Sequence, residues 1–319
     1  MVTSSKPILA LSGGVGGAKL ALGLADELPM GRLHVLVNTG DDFTHLGLHI
    51  CPDIDTLLYT LSETSNAAQG WGLAGESWNT MGALEKLGGA TWFQLGDKDI
   101  ATHLWRTARI AQGDSLLQLT AALAQQLGIG SHVHPMCEQA VRTTVHCTEQ
   151  SMPFQHYFVR EQCAPAVSGF SFEGIEAASP NPRVARMLEE DAFAAVIVCP
   201  SNPFVSIDPI LQIPGQWQLL RDNPAPVVLV SPIVAGIALK GPAAKMMAEL
   251  GVPVTAKGVA QHYCDRYPGL LDYFVIDASD ATLAPEIEEL GIKVAITETI
   301  MKTRQNKQQL ARFVLEMVV

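Results

Sequence analysis

Short, unbroken apolar runs that each stop at glycine, proline or polar residues constrain this chain's fold more than any other feature. "PILAL" (7–11), "LHVLVN" (33–38), "AAVIVC" (194–199), "PVVLVS" (226–231), "YFVID" (273–277) and "IKVAIT" (292–297) alternate with amphipathic helical stretches. Strands that are apolar on both faces belong to a parallel sheet covered by helices. A helix from about Gly17 to Leu28, with Leu20, Leu24 and Leu28 on one face, joins the first two runs as a right-handed βαβ unit. Another helix over Lys307–Met317 is expected to finish the chain. The pattern predicts an α/β fold, a Rossmann-like parallel sheet with helices on both faces, whose carboxyl edge binds ligand.

The middle reads differently. Residues 98–128 predict two helices joined near Gly113, and "AVRTTVHCT" and "QHYFVREQ" alternate with the period of antiparallel strands. Residues 66–180 are therefore expected to form a smaller mixed α+β insertion capping the ligand edge. Residues 1–65 and 181–319 would then form the nucleotide-binding core.

Charge and composition narrow the function classes. With 319 residues and a net charge of −11, the chain is a poor nucleic-acid partner. A small phosphorylated ligand stays compatible, provided that metal ions or backbone N–H groups supply local positive potential. No apolar stretch reaches the roughly 18–20 residues of a membrane span, and the first residues lack a leader pattern. The expected location is cytoplasmic, with no membrane partner. Six cysteines are scattered without a C-x-x-C pair, so neither a disulfide framework nor a zinc site is indicated. Reduced, mostly buried thiols are expected.

"LSGGVGGAKLAL" (11–22) follows the first strand. It is not a P-loop, because Lys19 precedes Leu20 rather than Ser or Thr, and it is not a dinucleotide fingerprint, because lysine stands at the third glycine position. A strand, a side-chain-free turn at Gly13, Gly14, Gly16 and Gly17, and a helix N-terminus still expose N–H groups to an anion. "NTGDDFTHLGLHICPDIDT" (38–56) then places Asp41, Asp42, Asp53 and Asp55 within fifteen residues. Carboxylates so crowded repel unless spread, solvated or bridged by a hard cation such as Mg²⁺. Asp53 is alternatively a cap for a helix starting near Ile54. At another strand end, "PSNPFVSIDPIL" (200–211) offers Asn202 to a nucleotide and Ser206 as the cap of the next helix. In "WFQLGDKDIATHLWRT" (92–107), Asp99 is expected to cap a helix that carries His103 and Arg106 on the same face, toward either a ligand or solvent.

The ordered set "GGVGGAK", "NTGDD", "CPDIDT", "WFQLGDKDIATHLWRT", "FQHYFVR", "PSNPFVSIDPIL" and "SPIVAGIALKGPAAKMM" resembles the 2-phospho-L-lactate transferase family of coenzyme F420 biosynthesis. The resemblance runs from about residue 7 to about residue 300. One departure is Cys137-Glu138-Gln139, where a serine or threonine followed by acidic residues is expected.

The resemblance implies that the terminal ribityl hydroxyl of the deazaflavin Fo attacks the acid-side phosphorus of a GDP-linked three-carbon acid, releasing GMP. It implies Mg²⁺ on Asp41 and Asp53, with Asp42 and Asp55 as alternates. The glycine turn and Lys19 would hold the diphosphate, and Asn202 and Ser206 the nucleotide. Arg106, with His103, Arg142 and Asp42, would face the acid or Fo. Trp71, Trp92 and Trp105 are candidates to stack on the flat deazaflavin. A homodimer is also implied by the family. The rival class is a nucleotide-sugar-binding regulator of the same fold, against which "CPDIDT" and "GDKDIATHL" stand.

Overall fold

The computed structural model describes residues 5–66, 68–238 and 241–318. The first four residues, part of the stretch read for a leader, and Leu239-Lys240 of "SPIVAGIALKGPAAKMM" lie outside them. The N-terminal half supplies strands β1 (Ile8–Ser12), β2 (Leu33–Val37), β3 (Phe43–His45), β4 (Leu48–Ile50) and β5 (His132–Pro135). After these come β6 (Arg142–Cys147), β7 (Ser151–Pro153), β8 (Val167–Glu173), β9 (Ala195–Val198) and β10 (Val227–Val230). A small hairpin, β11 (Ile233–Val234) and β12 (Ile237–Ala238), precedes β13 (Tyr273–Asp277) and β14 (Lys293–Thr297). The first five helices are α1 (Gly14–Glu27), α2 (Pro52–Leu61), α3 (Asn79–Lys86), α4 (Asp97–Ala111) and α5 (Leu116–Gln126).

The main sheet has seven parallel strands in the order β14-β13-β10-β9-β1-β2-β5. Residues of β1 alternate between two cores, Leu9 and Leu11 on one face and Ile8 and Ala10 on the other, which is why the run is unbroken in sequence. Helices α1 and α2 and the C-terminal helix Arg304–Val318 cover the second face. The direction of chain progression reverses between β1 and β9, the switch point at which open α/β sheets leave a crevice. Among the described residues, no helix is long and apolar enough to cross a membrane.

Three expectations need correction. Strand β5 lies inside the 66–180 stretch yet pairs with β2 in the main sheet, so that stretch is not wholly an insertion. Its remainder includes the antiparallel sheet β7-β6-β8. "QHYFVREQ" is no strand: His156–Arg160 is a wide helical turn, and β7 and β8 are the partners of β6. Phe154 and Tyr157 are both buried at helical spacing, and the half-buried His156 and exposed Phe158 on either side of Tyr157 imitate an alternating pattern. Lastly, α4 begins at Asp97 behind Gly96, which puts Asp99 inside the first turn rather than at its cap.

Candidate active site

A cavity of about 730 Å³ opens at the switch point, within the size range of small-molecule sites. One wall is the turn after β1. Gly14 takes φ +64°, a left-handed conformation that glycine adopts freely, and α1 starts there, three residues ahead of the expected boundary. At Gly16 a side chain would put Cβ only 2.3 Å from the Pro200 carbonyl oxygen, so the turn lies against the segment leaving β9. The N–H of Gly13 donates to Ser201 Oγ (3.2 Å) and that of Gly14 to Asp53 Oδ1 (2.8 Å). Two donors of the expected anion cradle are therefore used by the protein itself. Val15 and Gly16 also line the cavity, in a first helical turn whose N–H groups have no intrahelical acceptor. Gly17 does not line it; it packs against Ser12 and Ser201.

Asp53 stands in the first turn of α2, behind Cys51 and Pro52, and is not its cap. Besides Gly14 it accepts a hydrogen bond from Asn38 Nδ2 at 2.9 Å. Asn38 closes the NTGDD turn by accepting from Gly40 N–H (2.8 Å) and reaches across the switch point to the Val205 carbonyl (3.1 Å). Asp41 lines the same cavity, almost fully buried, and its Oδ1 has no hydrogen-bond partner among the described residues. Burial, followed by the neighbouring Asp53 charge, pushes the Asp41 carboxyl well above the usual range. Burial raises Asp53 to about 6 even though Asn38 and Gly14 donate to it. Two desolvated carboxylates this close oppose each other's ionisation, and a divalent cation between them would relieve both.

The aspartates sort into two pairs. Asp42 and Asp55 are buried but do not line the cavity. Asp55 is gripped bidentately by Arg106 through Nη2–Oδ1 and Nη1–Oδ2, the latter at 3.1 Å. Arg106 also donates to His103 Nδ1 (3.2 Å), while His103 Nε2 lies 3.4 Å from Asp99 Oδ1. Tyr59 Oη donates to Asp99 at 2.7 Å. With Arg106 only 1% exposed, this charge-paired cluster locks α4 onto α2 and stays out of the cavity lining. Spacing alone could not say whether that helix face meets a cleft, solvent or a neighbouring helix. Arg142 also stays out of the lining and donates to the Val141 carbonyl (2.7 Å).

Asn202 and Ser206 both line the cavity, but the capping residue is Asn202 and not Ser206 as expected. Asn202 Oδ1 accepts from Phe204 N–H (3.0 Å) and so caps the wide turn Pro203–Ile207, in which Ser206 lies. Lys19 is half-buried in the lining. Trp71 and Trp92 contribute to the wall, as do Phe154 and Phe158, whose rings stack at 5.4 Å and 7°. Trp105 instead packs on the core beneath Arg109. The departing triplet lies outside the lining, and Glu138 accepts the N–H groups of Leu116 and Leu117 at the start of α5 (both 2.9 Å).

Sequence reasoning missed Asn38, Ser201 and Gln155, all in the lining or bonded to it. Asn38 and Ser201 follow strand ends and could have been found by that signal. Gln155 Nε2 donates to the Asp41 carbonyl (3.4 Å) from a segment misread as strand.

Comparisons with known proteins agree along the whole chain. Residues 8–313 match the family described as 2-phospho-L-lactate transferase CofD. A phosphoenolpyruvate transferase of Kitasatospora aureofaciens is 38% identical over 97% of this chain and 96% of its own length. A 2-phospho-L-lactate transferase of Methanosarcina acetivorans is 36% identical over 97% of this chain and 98% of its own. A crystal structure of a UPF0052 family member from Bacillus halodurans shares the fold, with a TM-score of 0.65 at 14% identity, covering 98% of this chain and 99% of that one.

Proposed function

The chain belongs to the 2-phospho-L-lactate transferase CofD family, and from that premise we propose that it moves a phospho-three-carbon-acid group from a GDP-linked donor to the ribityl hydroxyl of the deazaflavin Fo. GMP is the leaving group, and a phosphodiester links Fo to the acid. The observation that carries this reading is the meeting, at one switch-point cavity, of the glycine turn, Lys19 and the Asp41–Asp53 pair. The aromatic wall of Trp71, Trp92, Phe154 and Phe158 suits a flat acceptor ring.

The chain's own groups would divide the work. The N-terminal turn of α1 and Lys19 would hold the diphosphate and stabilise charge passing to the leaving phosphate. Asn202 and Ser206 would hold the nucleotide, and Gln155 and Asn38 would keep the aspartate turn in place. The unpartnered Asp41 oxygen and the desolvated pair fit a hard divalent ion such as Mg²⁺, which Asp41 and Asp53 would hold. When bound, it would neutralise charge on the diphosphate. The cytoplasm is the proposed compartment and a homodimer the proposed assembly, the latter measured by light scattering on the purified chain.

The test incubates the protein with Fo, Mg²⁺ and GDP-linked lactate, enolpyruvate or glycerate in parallel, each donor carrying two phosphates in all. GMP release and product mass are followed. Formation of GMP and an Fo phosphodiester with at least one donor is expected, and Lys19→Ala should lose it while folding normally. Saturable binding of a UDP-sugar with no GMP formed would overturn the proposal.

A further inference from the structure

The hairpin β3–β4 folds back so that residues on either side of it meet beneath the aspartate turn. Asp42 precedes β3, His49 lies in β4 and Cys51 follows it. One carboxylate oxygen, one imidazole nitrogen and the sulfur lie within 4.8 Å of one another. Asp42 is 2% exposed and Cys51 fully buried.

Protein groups do not satisfy this cluster. The Cys51 sulfur and the Asp42 carboxylate lie within 4.8 Å of each other. Yet Asp42 Oδ1 and His49 Nε2 are buried and have no hydrogen-bond partner among the described residues. A buried polar atom left so costs about 1–3 kcal/mol, and a charged one more, so the arrangement is one that a further group would complete. His49 Nε2 and Asp42 Oδ2 are 3.7 Å apart. Nitrogen and oxygen ligands bound at about 2.0–2.2 Å in a tetrahedron stand roughly 3.3–3.6 Å from one another, so a closure of a few tenths of an ångström brings that pair into place.

We propose that Asp42, His49 and Cys51 form a three-ligand site for a zinc-class divalent cation, separate from the Asp41–Asp53 pair. A set of one oxygen, one nitrogen and one sulfur suits Zn²⁺ or Co²⁺ and disfavours Mg²⁺, which takes oxygen ligands. On binding, the Cys51 thiol proton leaves to solvent and its thiolate becomes a ligand. Burial holds the Cys51 thiol well above its usual range with Arg106 opposing it, so the bound cation itself would supply the charge that the thiolate needs. Asp42 and Cys51 together carry two negative charges that offset those of the ion. The His49 side chain, 22% exposed, gives a route in from solvent, and a water takes the fourth position. This site rests on none of the transferase reading.

The experiment uses the full chain stripped with chelator, then dialysed against Zn²⁺ with Mg²⁺ in large excess to occupy oxygen-only sites. Metal content is measured by mass spectrometry. Co²⁺ titration in the same Mg²⁺ reads the sulfur-to-cobalt charge-transfer band in the near-ultraviolet. A single equivalent of Zn²⁺ and a clear sulfur band are expected. Cys51→Ser should abolish the band. His49→Ala should weaken binding by at least about tenfold, the smallest loss usual even for groups behind the ligands. If Cys51→Ser does not fold, the affinity shift of His49→Ala decides. Failure to bind under excess Mg²⁺, a cobalt spectrum without a sulfur band, or equal affinity in the parent and His49→Ala would overturn the site.

Discussion

Replacing Arg106 by methionine separates two roles that the sequence left open, ligand contact and structural ion pair. The methionine fills much of the space of the arginine stem but leaves the Asp55 carboxylate, whose side chain is 6% exposed, without its bidentate partner. Asp42 and the Cys51 thiol lie close enough to bear on the same guanidinium, and His103 Nδ1 stands 3.7 Å from the Asp55 carboxylate. Breaking a buried pair on one side costs about 3–5 kcal/mol, because an uncompensated charge stays inside. Asp55→Asn alone should be costly for the converse reason, since it leaves the guanidinium buried against an amide. The double variant Arg106→Met with Asp55→Asn removes both charges, and a coupling of about 2 kcal/mol or more should return in the cycle. Urea unfolding followed by circular dichroism gives the four stabilities. Transfer assays at a temperature where each variant is folded should show kcat/KM within about tenfold of the parent for the double variant, since neither group lines the cavity. An Arg106→Met protein of unchanged stability whose kcat/KM falls by more than about a hundredfold would refute this reasoning and return Arg106 to the substrate.

Three further outcomes are expected. Asp53→Asn should lose transfer by at least about a hundredfold in kcat while the far-ultraviolet spectrum is retained; an unfolded protein with normal residual turnover would make Asp53 purely structural. Gly16→Ala drives a methyl into the Pro200 carbonyl, and a backbone contact that cannot give way should lower stability by about 1–3 kcal/mol in urea unfolding; equal stability would mean that the turn relaxes freely. His34 and His134 share a 3.0 Å hydrogen bond between β2 and β5, and burial first, then neighbouring positive charge, depresses them to about 4 and about 3. Both are neutral when folded, so destabilisation sets in as pH falls below 6.5, where only the unfolded chain takes up protons, and is complete below about 3. His134→Asn should flatten the stability–pH slope across that window, and a slope equal to the parent's would count against the assignment.

The sheet was legible because its signal is local. An unbroken apolar run such as 194–199 needs apolar neighbours on both faces, and only a covered parallel strand supplies them. The same holds for the glycine turn and for Asp41, which follow β1 and β2 and so gather at one edge. Asp53 instead reaches the cavity from the first turn of α2, behind the β3–β4 hairpin. β5 was harder to place, because "HVHP" carries two histidines and its apolar partners belong to distant elements. QHYFVREQ reads as a strand because a short run of mixed aromatic and polar residues around one buried ring satisfies a period of two and a helical turn equally well.

What the chain could not state in one dimension is which of two similar residues faces the cavity. Asp53 and Asp55 lie two apart on the same helical turn, yet one points to the glycine turn and the other to Arg106, because rotation along a helix sends them to different neighbours. Asp41 and Asp42 part in the same way, one into the cleft and one toward His49 and Cys51. Sequence by itself determined the sheet, its ligand edge and the kinds of groups gathered there. Tertiary structure alone decided the partner of each charge, because a buried carboxylate is defined by the donor that reaches it, and those donors arrive from elements far away in the chain.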